Sequence, residues 1–114
     1  MGSSGKTGED YAAKMYERAG FIILERNYHS RFGEIDIIAT DGEYLVFSEV
    51  KTRMTGGLTH PAESVTKSKQ SKIMKTAQIY LMRMPSELQP RFDVVSVRMS
   101  KGTVEEIELI ENAF

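Results

Sequence analysis

The chain has 114 residues, of which 40% are hydrophobic and 27% are charged, with no cysteine and a formal net charge of −1. This composition is typical of one ordinary globular domain, and it excludes a disulfide framework and a thiolate metal site. No apolar run approaches the roughly 20 residues that cross a bilayer, and the chain opens with no signal-peptide pattern, so we expect a cytoplasmic protein.

The charge is unevenly distributed. Residues 1–50 carry nine acids and five bases, residues 51–83 carry one acid and seven bases, and residues 84–114 carry six acids and three bases. Lys and Arg supply phosphate contacts in nucleic-acid-binding proteins, so the basic middle segment suits a phosphodiester substrate. A solvated helix face is the alternative meaning of the same run.

The N-terminal residues 1–6 are rich in Gly and Ser, and we expect them to be disordered or left from an expression tag. A single domain is predicted over residues 7–114. The pattern is helical from Thr7, a candidate N-cap, to about Ala19.

Glu9 lies in the first turn of this predicted helix. Helical spacing puts it on the apolar stripe with Ala12, Ala13 and Tyr16. An acid in this position is either solvated at the helix end or part of a functional site, and the spacing alone leaves both open.

The residues from Phe21 to about Arg26 are rich in β-formers and predict a first strand. A polar link through Asn27, His29 and Ser30 follows, and we interpret His29 as a surface residue.

Two apolar runs flank Asp41-Gly42, which is the strongest short hairpin signal. A two-residue turn there pairs Thr40 with Glu43. Side chains alternate between the two faces of a strand, so four charged residues emerge on one side of the hairpin. These are Glu34, Asp36, Glu49 and Lys51.

Asp36 and Glu49 become diagonal neighbours on that face, close enough for a divalent cation to bridge them. The functional interpretation is a site for Mg²⁺ or Mn²⁺, with Lys51 orienting or activating a water. The alternative is that Lys51 only neutralises Glu49 at a solvated strand end.

The stretch from Thr52 to about Leu58 has no periodicity and predicts a loop, which either closes over a substrate or only connects two elements. Arg53 lies just past Lys51, where a phosphate could bind. Thr59-His60-Pro61 is a helix-start signal, and Thr66 is a second cap, before a helix to about Met84.

This second helix is basic on one side and apolar on the other. Gln70 falls with the apolar set, so it either reaches into the site or caps nearby backbone groups. The cations that we expect to contact nucleic acid are Lys67, Lys69, Lys72 and Lys75.

Two strands complete the predicted fold. Arg91 to about Met99 alternates, with Arg91 and Asp93 on one face as a structural salt bridge. Thr103 to about Ile110 predicts a final strand at a sheet edge, where three glutamates discourage wrong pairing.

The order and spacing of these motifs resemble the YraN-like family of uncharacterised bacterial proteins, which is similar to the restriction-endonuclease-like, PD-(D/E)xK nuclease superfamily and especially to archaeal Holliday-junction resolvases. The resemblance runs from about residue 8 to about residue 97. It is carried by Gly8-Glu9, Gly33-Glu34-Ile35-Asp36-Ile37-Ile38-Ala39, Glu49-Val50-Lys51-Thr52-Arg53, Val65-Thr66 with Lys69-Gln70, and Arg91-Phe92-Asp93.

The resemblance implies an α/β fold with a three-layer core: a helix, a mixed sheet with a central β-hairpin, a helix and two further strands (αβββαββ). It implies that Asp36, Glu49 and Lys51 are catalytic, that Glu9 is the helix-borne acid, and that Asp36, Glu49 and Glu9 hold the metal. Glu34 would support the site.

Two residues depart from the superfamily pattern. Ile35 stands where the proline of the superfamily's name would precede Asp36. Ser48 stands where we expect an apolar residue.

The leading hypothesis is an Mg²⁺- or Mn²⁺-dependent endonuclease that acts on branched, nicked or otherwise structured DNA in repair or recombination, as a homodimer if the junction is symmetric. The second is a nucleic-acid-binding module of the same fold that does not cleave, which the net charge favours. The third is a structural or interaction domain whose acidic face only stabilises the hairpin.

Overall fold

A computed structural model describes residues 4–55 and 65–114 of the chain. Within these ranges two helices and five strands follow one another in the predicted order αβββαββ. They are α1 (Ser4–Arg18), β1 (Ile22–His29), β2 (Glu34–Thr40), β3 (Tyr44–Met54), α2 (Lys67–Arg83), β4 (Gln89–Ser100) and β5 (Thr103–Ile110). Neither helix is long and apolar enough to span a membrane. The helix start predicted at residues 59–61 lies outside the described ranges.

The five strands form one mixed sheet in the order β1-β2-β3-β4-β5, in which only β3 and β4 run parallel. The helices cover opposite faces: Ala12 and Tyr16 of α1 pack in one apolar cluster, whereas Ile73 and Tyr80 of α2 pack in the other. The protein is therefore a three-layer α/β domain with β3 at its centre. The prediction that the last strand lies at a sheet edge is confirmed.

The hairpin between β2 and β3 has a different register from the predicted one. Thr40 pairs with Leu45 and not with Glu43, so the predicted pairing is wrong by two residues. The turn is longer because the Asp41 carboxylate accepts hydrogen bonds from the backbone N–H groups of Glu43 and Tyr44, both at 2.9 Å.

Of the two predicted turn residues, only Gly42 has a positive φ, at 91°. A shift of two residues preserves the alternation of side chains, because alternation has a period of two. Ile38 and Phe47 accordingly pair and pack beneath α2, on the face predicted for the charged residues.

Three boundaries differ from the predictions. The third strand continues to Met54, so residues 52–54 of the predicted loop are strand instead. The first helix begins at Ser4, so Thr7 lies inside it and is not its N-cap. The first strand continues to His29, so the predicted polar link is strand instead. Asn27 lies within this strand at a φ of 51°, a conformation that Asn tolerates better than most residues.

The second helix begins as predicted. Thr66 is its N-cap, and the Thr66 hydroxyl accepts a hydrogen bond from the backbone N–H of Lys69 at 3.2 Å. Thr76 is also fully buried on the inner face of α2, where its hydroxyl bonds to the carbonyl of Lys72 at 2.9 Å.

A buried polar network explains why a serine occupies an apolar position in β3. Ser48 pairs in register with Asp93, and the Tyr16 hydroxyl lies 2.9 Å from the side-chain oxygens of both. Because a tyrosine has one hydroxyl proton, we infer that Tyr16 donates to the carboxylate and accepts from the serine. Arg91 donates two further bonds to Asp93 at 3.0 Å, which confirms the predicted salt bridge. The network ties α1 to the two central strands.

Candidate active site

The candidate site lies where β2 and β3 separate. The ladder between them ends at the pair of Ile37 and Ser48. Beyond that pair, residues 34–36 of β2 lie beside β1, and β3 from Glu49 onward lies beside β4. Asp36 bridges the start of the fork, since its carboxylate accepts a hydrogen bond from the backbone N–H of Val50 at 2.7 Å. A cavity of about 250 Å³ opens there, and its walls are Glu9, Glu34, Asp36, Glu49, Val50, Lys51 and Lys69.

The fork brings together the two carboxylates that the sequence predicts as metal ligands. Asp36 is 9% exposed and Glu49 is 5% exposed. Burial, a hydrogen bond with Glu49 and repulsion by Glu49 raise the pKa of Asp36 from 3.8 to about 8. At neutral pH the pair therefore holds one proton and one negative charge.

Two lysines compensate for the remaining negative charge on Glu49. The ammonium group of Lys51 lies 3.6 Å from the Glu49 carboxylate, and that of Lys69 contacts the same oxygen. Burial and the neighbouring Lys69 lower the pKa of Lys51. Burial opposes the charge on Lys69 as well, but hydrogen bonds with Glu49 and Lys51 and attraction by Glu49 and Asp36 together outweigh burial and raise the pKa of Lys69.

Glu9 reaches the cavity from the other layer. Gly8 allows this approach, because a Cβ at Gly8 would overlap the Thr52 hydroxyl oxygen. The side-chain amide of Asn27 donates to the Glu9 carboxylate at 2.9 Å, and a guanidinium nitrogen of Arg26 lies 3.9 Å from it. Glu9 is thus held at the site by β1.

The donor set fits a divalent cation only in part. Among residues 4–55 and 65–114, no three His, Cys, Asp or Glu side chains converge into a complete metal group. Asp36 and Glu49 nevertheless share a proton in a buried position, and a cation there would allow both to ionise. Mg²⁺ commonly binds one or two carboxylates and takes its other ligands from water and substrate phosphate. The two carboxylates match that pattern.

The other predicted site residues differ in their surroundings. Glu34 is exposed at the cavity rim, 3.8 Å from the exposed His29 ring. Arg53 lies two residues beyond Lys51 in β3, on the same face of the strand. Gln70 does not line the cavity, and its amide donates to the carbonyl of Val65 at 3.0 Å, which was the alternative interpretation.

Three of the predicted cations on α2 are exposed, namely Lys67, Lys72 and Lys75. Two contacts at the site were not anticipated. The ammonium group of Lys69, which is a predicted phosphate contact, lies against the Glu49 carboxylate, and Asn27 donates a hydrogen bond to Glu9. The sequence carried one signal for the contact between Asn27 and Glu9: an asparagine stands inside a run of β-formers, and Asn is enriched at positive φ.

Comparison with known sequences relates almost the whole chain to one group of bacterial proteins. Residues 8–97 match the family described as uncharacterised protein family UPF0102. A UPF0102 protein of Dictyoglomus thermophilum is 45% identical over 112 residues, covering 96% of this chain and 95% of the relative. One from Clostridium botulinum is 44% identical over 113 residues (96% and 92%), and one from Rhodococcus opacus is 44% identical over 111 residues (96% and 94%).

Proposed function

The chain belongs to uncharacterised protein family UPF0102, and from the chemistry of its carboxylate cavity we propose that it is a metal-dependent nuclease that hydrolyses phosphodiester bonds in branched or otherwise structured DNA. The observation that carries the proposal is the buried pair of Asp36 and Glu49 beside Lys51. Membership of the restriction-endonuclease-like fold and of the PD-(D/E)xK superfamily is part of the same proposal.

Asp36 and Glu49 are the residues that would hold Mg²⁺ or Mn²⁺. The ion would polarise the scissile phosphate and neutralise the charge that develops on it. Glu9, fixed by Asn27 at 2.9 Å, would bind the cation through water or help to hold a second one.

Lys51 would orient the attacking water. Its ammonium group is 3.6 Å from Glu49, and burial favours its neutral form. A lysine with a lowered pKa can accept a proton more readily than a solvated one, so Lys51 is suited to water activation.

The exposed lysines Lys67, Lys72 and Lys75 would bind the DNA backbone along α2, together with Arg53, which lies two residues past Lys51 in β3. Each phosphate contact with duplex DNA contributes roughly 0.9 to the slope of log K against log salt concentration. Charge-neutral variants of the exposed lysines should therefore lower that slope by about that amount per residue.

A non-cleaving nucleic-acid-binding module of the same fold is the second candidate. It is favoured by the net charge of −1, which is unusual for a protein that binds nucleic acid. In that function Lys51 would be one more phosphate contact or a partner of Glu49.

The experiment that separates the two functions uses four-way junctions, flaps, nicked duplexes and intact duplexes with Mg²⁺ or Mn²⁺. The parent protein should cut at least one structured substrate, and Asp36→Asn should not. Lys51→Ala should keep DNA affinity within a few-fold and lose turnover, because the lysine acts in the transition state. A folded Lys51→Ala protein that cuts at the parental rate would remove this residue from the mechanism. No cleavage by the parent protein would favour the binding module.

A further inference from the structure

An aromatic side chain close in the chain to the candidate active site has two cations over its ring. Phe32, in the turn between β1 and β2, is half-buried. The guanidinium carbon of Arg31 lies 4.9 Å from its ring centroid and the ammonium nitrogen of Lys75 lies 5.3 Å from it. Both cations are exposed.

The turn that carries this ring is firmly held. Ser30 and Gly33 exchange backbone hydrogen bonds at 2.8 and 3.3 Å, and the Ser30 hydroxyl accepts a bond from the backbone N–H of Phe32 at 3.0 Å. The same hydroxyl bonds to the buried Thr76 hydroxyl at 2.7 Å, which joins the turn to α2. A ring fixed in this way loses little freedom when a ligand binds to it.

The ring is also close to the cavity along the chain. Phe32 precedes Glu34 of the cavity rim by two residues and Asp36 by four. Four residues of extended chain span at most about 13 Å, roughly the rise of four stacked nucleotides in one strand. A base on the ring and a phosphate in the cavity could therefore belong to the same strand.

We propose that Phe32, with Arg31 and Lys75, forms a stacking subsite for an unpaired base of single-stranded DNA. The proposal rests on the nucleic-acid substrate proposed above and names its class: DNA with a few unpaired nucleotides beside the cut. Aromatic rings hold unpaired bases by stacking, and cations beside them bind the adjoining phosphates.

The two cations leave the ring when DNA binds. A stacked nucleobase is held more strongly than an exposed cation over the same ring. Arg31 and Lys75 are long and exposed, so each can turn from the ring to a phosphate oxygen, where its charge is neutralised. The exchange places a base on Phe32 and two cations on the backbone that flanks it.

The test measures binding to a single-stranded oligonucleotide that contains 2-aminopurine, whose fluorescence falls when the base stacks. EDTA is present, so binding is read without cleavage. The parent protein should quench the fluorescence. Phe32→Leu should weaken single-strand binding about tenfold, leave duplex binding within about twofold and abolish the quenching. Phe32→Trp should retain both affinity and quenching.

Tyr11→Leu is the matched control. Tyr11 is 45% exposed on α1, and the Lys14 ammonium lies 6.0 Å from its ring centroid, so it is an equivalent cation–aromatic pair far along the chain from the turn. This variant should bind both DNAs like the parent.

Parental single-strand affinity in folded Phe32→Leu, an equal loss of single-strand and duplex binding, or no quenching by the parent protein would each overturn the proposal. Quenching is measured on the parent protein without any variant, so the absence of quenching would overturn the proposal even if Phe32→Leu fails to fold. A protein that quenches through Phe32 but never cuts would overturn the nuclease function and leave the subsite intact. A protein that cuts DNA but binds single strands without a contribution from Phe32 would overturn the subsite and leave the nuclease function intact.

Discussion

Asp36→Asn should stabilise the metal-free protein at alkaline pH, although it should abolish metal binding. The carboxylate is buried beside Glu49, and ionisation of both groups places two like charges in one cavity. Asparagine has almost the same shape and keeps an oxygen that can accept the hydrogen bond from the backbone N–H of Val50. The substitution therefore removes the repulsion and keeps the contact.

The magnitude follows from the pKa of Asp36, which is about 8 in the folded protein against 3.8 as the ordinary value. Because the folded state binds the proton more tightly than the unfolded chain, the free energy of unfolding falls as the pH rises from about 4 to about 8, and is level above that. One pKa unit is worth about 1.4 kcal/mol, so the full loss is at most about 6 kcal/mol.

The assay is urea unfolding followed by circular dichroism in EDTA between pH 5 and pH 9. The difference between the two proteins should be small at pH 5, and it should grow to a few kcal/mol in favour of Asp36→Asn at pH 8.5. The difference between the two curves cancels the titration of other groups. Asp10→Asn is the control, because it removes an exposed acid of α1 outside the cavity, paired with Arg26 at 2.8 Å, and should keep the parental pH dependence.

Added Mn²⁺ should raise the stability of the parent at pH 8 and leave that of Asp36→Asn unchanged. Parallel pH curves for the parent and Asp36→Asn would refute the reasoning, because they would mean that Asp36 is ionised in the folded protein at pH 5.

Two further predictions concern other contacts. Lys69→Met should bind Mn²⁺ about tenfold more tightly, measured by calorimetry, because the ammonium that contacts Glu49 no longer competes with the cation. The control, Lys67→Met, removes an exposed lysine and should match the parent. Unchanged affinity for Lys69→Met would mean that the lysine and the metal use different oxygens. Tyr16→Phe should lower the free energy of unfolding by about 1–3 kcal/mol, measured with urea, since Asp93 and Ser48 lose their buried partner. Parental stability would show that water replaces the hydroxyl.

The composition of the charged face was predictable because alternation is a property of the strand itself. The hairpin register was wrong by two residues, yet Asp36, Glu49 and Lys51 still line one cavity, since only an odd shift would have moved them to the other face. The cap at Thr66 was predictable for a similar reason: the contact joins residues three positions apart. The family assignment also followed from such motifs, and the sequence comparisons confirm it.

Other features depended on residues that are distant in the chain. The sequence predicted a salt bridge from Arg91 to Asp93, but not that Ser48 would pair with Asp93 and share its Tyr16 partner. A serine in a strand gives no sign of which strand will lie beside it, so its partner could not be inferred.

The sequence by itself determined which side chains share a face, where α2 begins and which strand closes the sheet, because those follow from backbone periodicity and contacts within a few residues. Only the tertiary structure decided that the β2–β3 ladder ends at the pair of Ile37 and Ser48, that Asn27 holds Glu9, and that Lys69 contacts Glu49 from another layer. These contacts join elements up to 20 residues apart, and they form only when the sheet and both helices pack together. The electrostatic state of the cavity, including the raised pKa of Asp36, is therefore a product of the packed fold.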